Sequence, residues 1–146
     1  AAYGQSKLAN LVFALDLQAL ITGAGLEMKS MAAHPGVSNT NLTSAGNDLD
    51  SSLFGLVSKP FLALSDLAFA QSHESGALPT LRAATDPSLA GGSYIGPDGF
   101  REFRGSPVVV APRKLALNRQ VADQLWTASV EATGVDFNFD PVAVKT

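Results

Sequence analysis

Only two stretches of this chain read as β-strands, and both are short: Leu26 to Ala33, an apolar-leaning run ended by Pro35-Gly36, and a brief run within Gly91 to Gly99, between two glycine-rich turns. Two strands that pair only with each other do not make a stable sheet, and a parallel pair needs helices over both faces. The helices are there. The missing strands are expected upstream of Ala1.

From Tyr3 to Ile21, apolar residues recur at Leu8, Leu11, Val12, Leu15 and Ala19, the spacing of an amphipathic helix, which Thr22-Gly23-Ala24-Gly25 stops. Val37 to Ser52 is rich in Ser, Thr, Asn, Asp and Gly and reads as a loop, a candidate lid. Leu53 to Ala70 is apolar, with Pro60 marking a fresh helix start. A further helix opens at Ser72, a good N-cap, and runs to Ala84 despite Pro79. Lys114 to Thr133 predicts the last helix, with Leu117, Val121, Leu125 and Ala128 on one stripe and Gly134 as its stop, followed by a loosely held tail from Phe137 to Thr146. Helix, strand, loop, helices, strand, helix is an α/β order without internal repeats.

Composition narrows the partners. Ten Lys plus Arg against thirteen Asp plus Glu give a net charge of −3 with no block of like charge, so nothing points to nucleic acid, and a small-molecule partner is expected. There is no cysteine, which excludes a disulfide framework, a thiolate nucleophile and Cys-ligated metal, and suits a reducing, cytoplasmic location. The two histidines, His34 at a strand end and His73 on a helix surface, are not spaced with each other or with carboxylates as metal ligands are, so no metal is expected. The most apolar regions are interrupted by Asp16, Lys59 and Asp66, so no membrane span is expected. The start, Ala1-Ala2-Tyr3-Gly4-Gln5, has neither a Met nor a basic region before an apolar run, and reads as a cut rather than a natural start.

The residues that carry chemistry stand near that start. Tyr3 and Lys7 are four apart at the beginning of a predicted helix, which puts a phenol and an ammonium on one face, about one turn apart. A phenol, with a pKa of about 10, is a weak proton donor or acceptor at neutral pH, and a cation beside it favours the ionised form. Such a pair suits proton transfer to or from an oxygen. At Pro35-Gly36, proline fixes one dihedral and glycine permits the tight turn and close backbone approach that end the strand.

The stretch Tyr3-Gly4-Gln5-Ser6-Lys7-Leu8-Ala9-Asn10 resembles the active-site helix of the short-chain dehydrogenase/reductase family, particularly its retinol-dehydrogenase-like branch. His34-Pro35-Gly36-Val37-Ser38-Asn39-Thr40-Asn41-Leu42 is similar to that family's Pro-Gly-x-x-x-Thr-x-Leu segment, which follows the sheet's sixth strand and covers the nicotinamide. Glu74-Ser75-Gly76-Ala77, the Gly91 to Gly99 turn-strand-turn and the helix around Leu125-Trp126 are similar to the same branch, so the resemblance covers nearly the whole chain.

The resemblance implies a Rossmann-like doubly wound parallel sheet, incomplete here, with only its last two strands and flanking helices, as the C-terminal catalytic part of a single NAD(P)-binding domain. Tyr3 is then the proton donor or acceptor, Lys7 tunes it and holds the nicotinamide ribose, and Pro35, Gly36, Val37 and Thr40 contact the cofactor, NADP or NAD. The implied activity is an oxidoreductase interconverting an alcohol and a carbonyl on a small lipophilic substrate, with Leu53 to Ala70 helping to form the pocket and a homodimer as the family's usual assembly. The family's glycine-rich phosphate loop, fourth-helix Asn and catalytic Ser all precede the Tyr, and Ser6 is not that Ser, so the fragment alone is expected to be inactive. Two other readings are an extended-type epimerase or dehydratase, against which the Pro-Gly-x-x-x-Thr pattern speaks, and a non-catalytic remnant or interaction module that keeps the fold.

Overall fold

The structure is a computed structural model, and it describes residues 2–36, 72–137 and 139. The predicted lid, residues 37–52, and the apolar region, residues 53–70, lie outside the described residues. The elements are α1 (Ala2–Gly23), β1 (Ala32–Ala33), α2 (His73–Thr85), β2 (Tyr94–Pro97), a 3-10 turn (Phe100–Glu102), β3 (Pro107–Val109), a second 3-10 turn (Lys114–Leu117) and α3 (Arg119–Thr133). By its contacts the chain divides into two compact units, one of residues 1–32, 85–94 and 109–146, the other of residues 33–84 and 95–108.

The sheet has the order β1-β2-β3. Ala32 N–H donates to the Ser93 carbonyl and His34 N–H to that of Ile95, both rising in step, so β1 and β2 are parallel. Asp98 N–H donates to the Ser106 carbonyl and Val110 N–H to that of Tyr94, so β3 runs antiparallel to β2. Three strands are described, where the sequence suggested two. The missed one is Pro107-Val108-Val109, whose β-branched residues favour a strand while Pro107 suits its first position. The first strand is shorter than expected. Its upstream part is held by a backbone bond from Gly92 N–H to the Ser30 carbonyl and by side chains: Ser30 N–H donates to Gln18 Oε1 (2.7 Å), Ser30 Oγ–H to the Ala14 carbonyl (2.8 Å), and Lys29 Nζ to the Pro87 and Leu89 carbonyls.

In the first unit, α1 ends in two capping bonds, Gly25 N–H to the Thr22 carbonyl and Leu26 N–H to that of Ile21, with Gly25 at φ 67°. This is a Schellman stop, and it needs the left-handed freedom of glycine. The core of the unit centres on Val12, Ala116 and Ala122, with Leu8, Leu11, Leu15, Val121 and Leu125 packed around them. Ala19, expected on the apolar stripe, is exposed. The predicted helix from Lys114 divides, because Asn118 (φ −80°, ψ 114°) leaves helical geometry and its side chain accepts from Val121 N–H as an N-cap. That break turns Leu117 out to 63% exposure and leaves Ala128 exposed as well. Gly134, at φ 68°, ends α3 as expected.

Burying a carboxylate requires a partner, and the buried Asp16 has one in Arg119 Nη1 at 2.8 Å. Arg119 also bridges to Asp123 at 2.7 Å. Asp123's hydrogen bond, with the Asp16 charge adding to it, holds the guanidinium above its usual range. Phe13 stacks on Trp126 with ring centroids 5.6 Å apart. Phe137 and Phe139 of the expected loose tail also set their rings against Trp126, Phe137 staying 54% exposed.

In the second unit, Ser75 N–H donates to Ser72 Oγ, confirming Ser72 as the N-cap of α2. Glu74, in that first turn, is held below the usual carboxylate range by its own backbone N–H and then by the Ser72 hydroxyl. The helix passes through Pro79, which is buried and cannot donate to the Ser75 carbonyl. Ile95, in the middle strand, is fully buried.

Candidate active site

Helical geometry brings Tyr3 and Lys7 together in the first turns of α1: Lys7 Nζ lies 5.4 Å from the Tyr3 ring centroid, over the ring. Both side chains are exposed, Tyr3 at 62%. Ser6 Oγ–H donates to the Tyr3 carbonyl at 2.8 Å, a bond within the helix that turns this hydroxyl to its own backbone. The face therefore presents a phenol and an ammonium side by side, anchored further along α1 by the Val12 core. That pair can hydrogen-bond to, and exchange a proton with, a bound oxygen.

Pro35 and Gly36 belong to the second unit, immediately after β1. Gly36 has φ 70°, and a Cβ there would lie 2.5 Å from the Phe103 carbonyl oxygen and 2.8 Å from that of Glu102. Backbone rather than a flexible side chain fills that space, so only glycine fits. The close approach that Gly36 permits is to the protein's own 102–103 backbone. Val37 and Thr40 lie outside the described residues.

His34 follows β1 and His73 opens α2 on an exposed position, as read from the sequence. Among the described residues no group of three or more His, Asp or Glu gathers as metal ligands do. The Gln18 side chain lies against Gly91 and Gly92, filling the space a Cβ at Gly91 would take. No described helix is long and apolar enough to cross a membrane.

One contact was not legible in the sequence. Glu102 Oε2 sits 3.0 Å from His34 Nε2, off the direction of an in-line hydrogen bond. Glu102 itself has φ 59°, and Arg101 before it φ 51°. No local signal marks a left-handed glutamate, since glycine or asparagine is the usual occupant.

No family model matches the chain. Retinol dehydrogenase 13 from Mus musculus is 32% identical over 92% of the chain, and polyprenol dehydrogenase from Homo sapiens is 31% identical over the same share. A chloroplastic short-chain dehydrogenase, TIC 32 B from Brassica napus, is 30% identical over 89%. The chain spans 36% of the length of each of these relatives. A crystal structure of an uncharacterized protein from Mycobacterium paratuberculosis matches with a TM-score of 0.64 at 32% identity, covering 94% of this chain and 40% of that one. The sheet and its helices are thus part of a Rossmann-like α/β fold, and the chain belongs among the short-chain dehydrogenases/reductases, on their retinol-dehydrogenase-like branch.

Proposed function

We propose that this chain is the C-terminal catalytic part of a single NAD(P)-binding domain, in an oxidoreductase that interconverts an alcohol and a carbonyl on a small lipophilic substrate. The observation that carries the reading is the exposed Tyr3–Lys7 pair, one helical turn apart on a helix whose other face is buried. The names of the relatives, retinol and polyprenol dehydrogenases, support a long apolar alcohol as the substrate class. NADP or NAD, when bound, takes up or supplies the hydride.

The chain's own residues move the proton and hold part of the cofactor. Tyr3 Oη gives its proton to the carbonyl oxygen during reduction and takes it from the hydroxyl during oxidation. Lys7 sets its positive charge beside the Tyr3 ring and holds the nicotinamide ribose. The turn at Pro35 and Gly36, with Val37 and Thr40 after it, holds the nicotinamide carboxamide. In the full-length protein a homodimer is the expected assembly.

The test is made in the full-length protein. Tyr3→Phe keeps the ring and removes the proton, so turnover falls about a hundredfold to ten-thousandfold while dinucleotide affinity stays close to wild type. Lys7→Ala lowers turnover and weakens dinucleotide binding together, because one ammonium serves both. A loss of only about threefold in Tyr3→Phe refutes the proton-transfer role.

A further inference from the structure

We propose that His34 and Glu102 are a positioning pair that fixes the Pro35–Gly36 turn in the shape the bound dinucleotide requires. The inference rests on the function proposed above and assigns the support of its cofactor-contacting turn to two residues outside it.

Three observations converge on the His34 ring, and a fourth on the glycine bonded to it. Gly36 N–H donates to His34 Nδ1 at 3.3 Å, so Nδ1 is the acceptor and the proton of the neutral ring sits on Nε2. Glu102 Oε2 lies 3.0 Å from that Nε2, where a carboxylate attracts the proton-bearing side of the ring. Gly96, buried in β2, lies against the ring so closely that a Cβ on it would come to 2.0 Å from Nε2. Gly36 itself rests on the carbonyl oxygens of Glu102 and Phe103 with no room for a side chain. The ring is therefore held by β2, by the turn it supports and by the carboxylate of Glu102.

The backbone shows that this carboxylate has a use. Arg101 and Glu102 both have positive φ, a conformation unfavourable for residues with side chains and persisting where the surroundings impose it. Arg101 sends its guanidinium over the Phe100 ring, 5.3 Å from the centroid, and takes no part in the pair. Glycine at position 102 would adopt the same φ without strain. A glutamate there is costly to the backbone, and what it provides in return is the contact with His34. That contact bears on the ring that accepts from Gly36, and so on the backbone of the Pro35–Gly36 turn.

The separating variant is Glu102→Gly in the full-length protein, because it removes the carboxylate and relieves the strain together. If the pair only stabilised the fold, this variant would leave dinucleotide binding unchanged. As a positioning pair, it raises the Kd for NADPH or NADH, measured by calorimetric titration, at least fivefold, while Tm stays at or above wild type. Glu102→Gln, which keeps an oxygen near the ring, raises it by less. His34→Asn, whose side-chain oxygen can still accept from Gly36 N–H but cannot reach Glu102, raises it as Glu102→Gly does and serves as the second variant should Glu102→Gly fail to fold. A Kd within twofold of wild type in both Glu102→Gly and His34→Asn overturns the proposal. If that happens while Tyr3→Phe still abolishes turnover, the proposed function stands and only the pair is refuted. A wild-type protein that binds neither dinucleotide refutes both.

Discussion

Val12→Ala tests the packing that holds the Tyr3–Lys7 helix in place. Val12 is 1% exposed and sits among Ala116, Ala122, Leu8, Leu11, Leu15, Val121 and Leu125, where α1 meets α3 and the turn before it. The substitution removes two carbons from this site. At about 0.8 kcal/mol per buried carbon, the lost transfer free energy is about 1.6 kcal/mol. A void of roughly 20 to 40 Å³, at about 24 cal/mol per Å³, adds about 0.5 to 1 kcal/mol if the surrounding leucines do not close on it. The expected loss is therefore about 2 to 2.5 kcal/mol, read by urea unfolding of the full-length protein as a lower midpoint with an unchanged slope. Leu117→Ala is the internal comparison, since Leu117 is 63% exposed and its truncation should cost less than about 0.5 kcal/mol. A loss below about 0.5 kcal/mol for Val12→Ala, or an equal loss for the two variants, refutes the register in which Asn118 turns Leu117 away from the core.

The caps and the charges give further expectations. Asn118→Ala removes the acceptor for Val121 N–H and should cost about 1 kcal/mol in the same unfolding assay, with no change in turnover per folded molecule. Glu74 has a lowered pKa, so its contribution is complete above the ordinary carboxylate value of 4.5 and is lost as pH falls below that value through its folded pKa. Glu74→Gln should flatten that acid limb of the urea midpoint against pH, and an unchanged limb contradicts the assignment.

The fold was legible where local chemistry decided it. The three-and-four spacing from Leu8 to Leu15 announced α1, Ser72 announced the start of α2, and Gly134 the end of α3, because capping and amphipathic packing are set by neighbours in sequence. Where distant segments decided, the local pattern misled. Leu26 to Met31 has a strand-like composition, yet Gln18, Ala14 and the 87–92 turn take its polar groups, and only Ala32 and Ala33 remain as β1. Lys114 to Leu117 is helical in propensity, yet the capping preference of Asn118 starts a new helix and ends the old one.

The candidate site divides along the same line. Tyr3 and Lys7 could be read as a pair because helical geometry alone places residues four apart on one face, and Pro35-Gly36 could be read as a turn because those two residues shape their own backbone. His34 and Glu102 are 68 positions apart, and what joins them is the pairing of β1 with β2 followed by the reversal closed by Asp98 N–H on the Ser106 carbonyl. Gly99 and Gly105 mark that reversal in the sequence, but nothing marks that its left-handed positions fall on Arg101 and Glu102 between them. Local preference would put glycine or asparagine there. A residue set against its own backbone preference is invisible to reasoning from preference, and such violations concentrate where a side chain is needed at one point in space. The part of the site hardest to read from the sequence is thus the part where a long-range contact overrides local backbone preference.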